Sequence, residues 1–303
     1  MLSGAGFAQL VLANPPKAGG GALILVVSLV LFAMSMRGSG SWQHLVILVL
    51  VVIVHELGHL AAMRLAGFAD LRMFFVPFFG AAAIGRKPGA GATEHALVSF
   101  AGPVPGLVLA AGLLAFADVH WRGLGRNSVV TDVTFLLVVL NGFNLLPILP
   151  FDGGRVFQVL LFGRLPWLDV VFRVVAIAAV GYLASLDTPV LFVVAGLMAL
   201  GLREGARIAF AVARLRRTTP LPADPARLTA AQLQALYDTA AALVPHQVQE
   251  TLRLRRIAGA IRAVFDGTAR KAASPLASIL LLLLWAGALA GACFEVVWLG
   301  LVT

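Results

Sequence analysis

The stretch Val51-Val52-Ile53-Val54-His55-Glu56-Leu57-Gly58-His59-Leu60-Ala61-Ala62 limits what this chain can become. The residues before it are almost all Val, Leu or Ile, so it reads as the latter half of a long apolar helix. On a helix, His55 and His59 are four residues apart and share one face. Two imidazoles so placed can hold one tetrahedral zinc, with Glu56 beside them as a general base. Ionisable groups inside an apolar span are costly and mark function. With 6 His and 5 Glu in 303 residues, chance would produce this spacing about 0.002 times per chain.

Composition sets the environment. The chain is 60% hydrophobic and 12% charged, with a mean hydropathy of +0.95. A soluble domain carries roughly 25% charged residues. Repeated long apolar runs predict an all-α polytopic membrane protein with about six to seven transmembrane helices. The net charge of +9 is read as Lys and Arg enriched in cytoplasmic loops rather than as a nucleic-acid surface. No nucleic acid is expected as a partner; the lipid bilayer is. The single cysteine, Cys293, excludes an internal disulfide framework and a cysteine-based metal site. Residues 1–17 lack the basic start and small-residue cleavage site of a signal peptide.

Candidate spans run about Ala18–Met36, Trp42–Met63, Ala96–Ala117, Val129–Pro150, Val170–Leu186, Val190–Leu202 and Leu276–Phe294. The sixth is short for a hydrocarbon core of about 30 Å and crosses only by continuing into less apolar sequence. Between the second and third spans, Leu65–His95 is too polar and Gly-rich to cross, and fits a short membrane-associated β-hairpin or re-entrant segment. Residues 203–271 differ in kind, with 12 Lys and Arg against 5 Asp and Glu. There, Thr229-Ala230-Ala231-Gln232 reads as a capping box opening an amphipathic helix, and a second amphipathic stretch runs from Val248 to Phe265. This is a small cytoplasmic helical region with a possible regulatory partner. The expected division is a transmembrane core over 1–202, the basic region over 203–271 and a last helix over 272–303. Placing the basic region in the cytoplasm puts the loops after the second and fourth spans there too, in accord with the positive-inside rule.

Zinc needs a third protein ligand and an open position for water. In that topology the second and fourth spans descend the same way, one carrying His55 and His59 and the other ending at Asp152. Asp152 is therefore a candidate ligand, provided Pro147, Pro150, Gly153 and Gly154 distort the helix there. Its plainer alternative is a helix-ending turn carboxylate.

With these residues in view, the chain resembles the site-2 protease family of intramembrane zinc metalloproteases. His55-Glu56-Leu57-Gly58-His59 matches that family's first motif. Asn144, Pro147, Pro150, Asp152 and Gly153 are similar to its Asn-x-x-Pro-x-x-Pro-x-Asp-Gly motif. The resemblance covers roughly residues 43–165. It implies His55, His59 and Asp152 as ligands of one Zn2+ per chain, Glu56 as the catalytic acid/base, and Asn144 as a polar group near the substrate or oxyanion. The segment Phe74–Gly85 looks like the family's hairpin beside the active site, which makes Phe74, Phe75, Pro77, Phe78, Phe79 and Gly80 candidate substrate-binding residues. One departure stands at Gly106, where many members carry Asn.

The expected activity is that of an intramembrane zinc endopeptidase cutting in or near the transmembrane segment of a single-span membrane protein. The expected location is the bacterial inner membrane, with the site toward the cytoplasm. The alternatives are a catalytically silent scaffold that binds transmembrane helices, and a metal transporter or channel using the same residues. Among lesser candidates, Glu94 with His95 and Asp169 with Arg173 read as structural pairs. His44, His120 and His246 read as loop, interface or surface residues, and Glu295 as snorkelling outward from a helix end.

Overall fold

The computed structural model describes residues 3–14, 21–36, 41–76, 80–87, 89–121, 129–162, 164–187, 190–245, 247 and 249–302. The protein is mostly helical, with one small two-stranded sheet, and its chain gathers into two compact units.

The unit that carries the sequence motifs comprises 18–87, 93–156 and 274–303. It opens with α2 (Gly21–Met36) and α3 (Trp42–Leu65), the latter capped by Ser41, whose side chain accepts from the His44 N–H. A hairpin follows, β1 (Ala69–Val76) paired antiparallel with β2 (Gly80–Arg86). Gly80 opens β2 with a φ of +103°, a conformation that glycine alone adopts freely. The hairpin is anchored through β1: the Phe75 N–H donates to Ser28 Oγ at 2.9 Å, and its ring packs with Phe32 and Val52 between α2 and α3. Helices α4 (Ala92–Phe100) and α5 (Pro103–Trp121) are separated by a two-residue turn. Pro103 has no N–H with which to continue the first helix. Then come α6 (Val129–Asn144), the short α7 (Asp152–Phe157) and α12 (Pro275–Val302).

Among the described residues, three helical stretches are long and apolar enough to cross a membrane: Trp42–Leu65, Ala92–Ala117 and Pro275–Gly300. A helix of 24 residues is about 36 Å long, enough for the hydrocarbon core. Leu23–Met36 and Val129–Asn144 are apolar but shorter.

The other unit comprises 1–17, 88–92 and 157–273. A π-helical turn, Gln158–Phe162, leads to α8 (Pro166–Asp187) and α9 (Val190–Thr218). The short apolar segment after Pro189 thus continues into basic sequence as one helix of 29 residues. The expected capping box is present at the start of α10 (Ala230–Leu243), and α11 (Glu250–Ala269) follows. Leu236, Ile257, Ile261 and Val264 are wholly buried in this unit's core. The N-terminal helix α1 (Gly4–Ala13) joins that core, with the Phe7 and Tyr237 rings edge to face at 6.2 Å and the Ala5 N–H donating to Gln234 Oε1 at 3.0 Å. Helix α1 and the part of α9 beyond residue 203 thus share this core with α10 and α11.

Glu295 departs from expectation. It is 6% exposed, on the face of α12 that also buries Ala292 and Leu299, and its Oε2 has no hydrogen-bond partner among the described residues. A side chain this little exposed is turned into the fold rather than extended outward.

Candidate metal centre

Helix α3 brings His55 and His59 to one face, both 4% exposed. Gly58 between them is a contact residue, because a Cβ there would stand 2.0 Å from the Ala101 carbonyl oxygen. Its absence lets α3 lie directly on the turn between α4 and α5. On that turn, Gly102 backs onto the histidines: a Cβ there would fall 2.3 Å from His59 Nε2 and 2.8 Å from His55 Nε2.

Asp152 comes from a break in the helical path. Pro147 removes an N–H and clashes with the preceding turn, so α6 stops at Asn144. The chain turns through 145–151 and re-enters helix at Asp152. Gly153 and Gly154 make that turn possible, since their Cβ atoms would lie 2.1 Å from Leu145 O and 2.4 Å from the Ile148 carbonyl carbon. Asp152 is thus the first residue of a new helix rather than the end of the old one. It is 4% exposed.

The three side chains meet. Asp152 Oδ2 lies 3.1 Å from His55 Nε2 and 3.0 Å from His59 Nε2, and the two Nε2 atoms are 3.2 Å apart. The outer ring nitrogens decide what that means. His59 Nδ1 lies 2.8 Å from Val98 O, a carbonyl that can only accept, so Nδ1 carries a proton and, in the neutral ring, Nε2 is the bare nitrogen. His55 Nδ1 lies 2.8 Å from Asn141 Oδ1, and Asn141 Nδ2 donates to Leu137 O at 2.7 Å. That second bond fixes which end of the amide faces His55, so its Nδ1 is also the donor. With both rings neutral, two lone pairs and a carboxylate oxygen converge on one point. A cation turns this repulsion into attraction. Tetrahedral zinc bonded at about 2.0–2.1 Å separates its ligand atoms by about 3.3 Å, close to the spacing here. His55, His59 and Asp152 could thus hold a metal ion.

Glu56 is 6% exposed and occupies the next position round the helix from His55. Its carboxylate faces the Ala83 backbone N–H of β2, and its Oε2 has no hydrogen-bond partner among the described residues. Asn144 Nδ2 donates to Leu140 O of its own helix at 3.0 Å. Phe75 is a buried core residue and Phe74 a half-buried strand residue, while Pro77, Phe78 and Phe79 lie outside the described residues. Glu94 pairs with Lys87, and Asp169 with Arg173 at 3.0 Å.

Asn141 is the functional-site residue that sequence reasoning passes over. It is 1% exposed and is the sole side chain holding His55 from outside the cluster among the described residues. A Cβ at Gly106 would lie 2.2 Å from Asn141 Nδ2. The amide thus fills the space that a larger residue at position 106 would occupy, which gives the departure at Gly106 a physical basis.

No family model matches the chain. Curated proteins do. The chain is 28% identical over 139 residues to zinc metalloprotease MJ0392 of Methanocaldococcus jannaschii, covering 46% of this chain and 40% of that protein. It is 31% identical over 131 residues to stage IV sporulation protein FB of Bacillus subtilis, covering 43% and 44%. It is 34% identical over 125 residues to the Mycobacterium tuberculosis protein named for a zinc metalloprotease, Rip3, covering 39% and 31%. The matched stretch spans less than half the length of each of these relatives. These curated relatives are site-2 protease family members, and the chain is similar to them over that stretch.

Proposed function

We propose that the protein is a membrane-embedded zinc endopeptidase that hydrolyses peptide bonds in or near the transmembrane segment of a membrane-anchored substrate. The observation that carries this reading is the convergence of two imidazole Nε2 atoms and one carboxylate oxygen within 3.2 Å, beside a buried carboxylate with an oxygen that has no partner among the described residues. Zinc metalloprotease relatives support it.

When bound, zinc supplies a Lewis acid that polarises a carbonyl and lowers the pKa of water toward neutrality. His55, His59 and Asp152 would hold it. Asn141 and the Val98 carbonyl keep both imidazoles in the tautomer that presents Nε2. Glu56 accepts the proton of the attacking water on its free oxygen and returns one to the leaving nitrogen. An Asn amide has two N–H bonds; one from Asn144 reaches Leu140 O, and the other is available to a developing oxyanion.

A transmembrane substrate is helical, with its amides already hydrogen-bonded, so it must unwind before it is cut. The edge of β2 offers the unwound strand a template, because β2 pairs with β1 on one side and has no strand on the other among the described residues. Strand addition there would lay the substrate beside Glu56. We further propose that α2, α3, the α4–α5 pair, α6, α8, α9 and α12 are the spans, with the site toward the cytoplasmic side of a bacterial inner membrane. A single-span protein is the proposed substrate partner.

The test uses the full chain in proteoliposomes with a membrane-anchored substrate. Glu56→Gln is expected to bind zinc as the parent does and to lose cleavage. Parental cleavage by that variant would refute the assignment.

A further inference from the structure

Between α9, the end of α10 and α11 lies a cavity of about 660 Å³. It belongs wholly to the unit with the basic helices and is independent of the peptidase reading. Arg203 and Arg207 enter it from α9 and Arg256 from α11, against a single carboxylate, Glu204. Arg207 is committed, its Nη2 donating to Ala242 O at 2.9 Å at the end of α10. Arg203 and Arg256 form no ion pair among the described residues. Three guanidinium groups around one hollow repel one another unless an anion joins them, and guanidinium is suited to grip a phosphate by paired hydrogen bonds.

The helix that supplies two of them says which anion. Val193, Leu197 and Leu200 are 63%, 53% and 79% exposed. They recur at helical spacing, and the same stripe continues into Arg203 and Arg207. Leu200 itself lines the cavity. One continuous face of α9 is therefore apolar for about two turns and then cationic, which is the order of acyl chain and headgroup in a lipid.

We propose that this cavity binds the phosphate headgroup of an anionic phospholipid, with Arg203 and Arg256 on the phosphate and the acyl chains along Val193, Leu197 and Leu200. A soluble phosphate would use the same arginines but not the apolar stripe.

The experiment is native mass spectrometry of the full chain released from nanodiscs containing equal phosphatidylcholine and phosphatidylglycerol. The parent is expected to retain phosphatidylglycerol preferentially. The double variant R203Q/R256Q should retain it about 25-fold less, at about fivefold per arginine. The variant R214Q/R255Q, which removes the same charge from exposed positions outside the cavity, should match the parent. R203K/R256K keeps the charge without the planar fork and should retain an intermediate amount, which also establishes that the folded cavity tolerates change at these positions. Equal retention of the two lipids by the parent, or equal losses in the cavity and control variants, would overturn the proposal. So would displacement of bound phosphatidylglycerol by low-millimolar inorganic phosphate, since that would make the site one for a soluble anion.

Discussion

Asn141 Oδ1 lies 2.8 Å from His55 Nδ1, while the same amide donates to Leu137 O. A buried residue on α6 thus ties the helix backbone to the imidazole on α3 and sets which ring nitrogen is bare. His59 obtains the same service from the Val98 carbonyl, which no side-chain substitution can remove. The two histidines are therefore unequal under mutation, although the sequence presents them as a symmetric pair.

Asn141→Ala is expected to lower zinc affinity about 10- to 100-fold, the usual cost of losing an acceptor behind a ligating histidine. Asn141→Asp keeps an acceptor opposite Nδ1 and should bind zinc more tightly than the alanine variant. Competition with a chromophoric chelator measures both. Parental affinity in Asn141→Ala would mean that His55 is oriented by packing alone.

Metal removal has a stability consequence that follows from the bare lone pairs. Stripping zinc with a chelator should lower the apparent melting temperature of the detergent-solubilised protein, and zinc should restore it. At a free zinc concentration of about 100 times Kd the linkage is about 2.7 kcal/mol. In Asp152→Asn the carboxylate charge is gone, so zinc should restore much less. Equal melting temperatures with and without zinc in the parent would argue against a metal held by these three residues.

Much of this site was legible because its chemistry is written in spacing. His55 and His59 repeat at one helical turn, and Pro147 and Pro150 announce the break that frees Asp152. The capping box at Thr229 and Gln232 was legible for the same reason. Asn141 was not, because an amide within an apolar helix has no spacing that links it to a histidine 86 positions earlier. Helix α1 was hidden too: ten residues without a charge give no sign that they pack on α10. The span expected over Ala96–Ala117 is interrupted at Gly102-Pro103, where a turn between two helices backs the histidines. The count of spans rests on membrane boundaries that helix lengths alone do not draw.

Glu295 offers a test of the packing of α12. A buried carboxyl oxygen without a partner among the described residues destabilises the fold by about 1–3 kcal/mol. Replacing it with an apolar residue of similar length removes that cost. Glu295→Leu should raise the apparent melting temperature in detergent while leaving zinc content unchanged. A lower melting temperature would show that the carboxylate has a partner in the folded protein.

The hairpin can be probed one amide at a time, because backbone groups on a strand point alternately to either side. The Ala83 N–H faces Glu56, so the Ala81 N–H, two residues away, points to the same outer edge. The Ala82 N–H points instead toward Phe74, its partner on β1. Proline at an edge position removes a donor without breaking the pairing behind it. Ala81→Pro is therefore expected to keep the hairpin and the zinc while cutting a membrane-anchored substrate about tenfold more slowly, as one or two lost hydrogen bonds to a substrate strand would cause. Ala82→Pro breaks the pairing with β1 and should also lower stability. Zinc content, melting temperature and cleavage measured on both variants separate these effects. Parental cleavage by Ala81→Pro would exclude strand addition at this edge, since an added strand needs that donor.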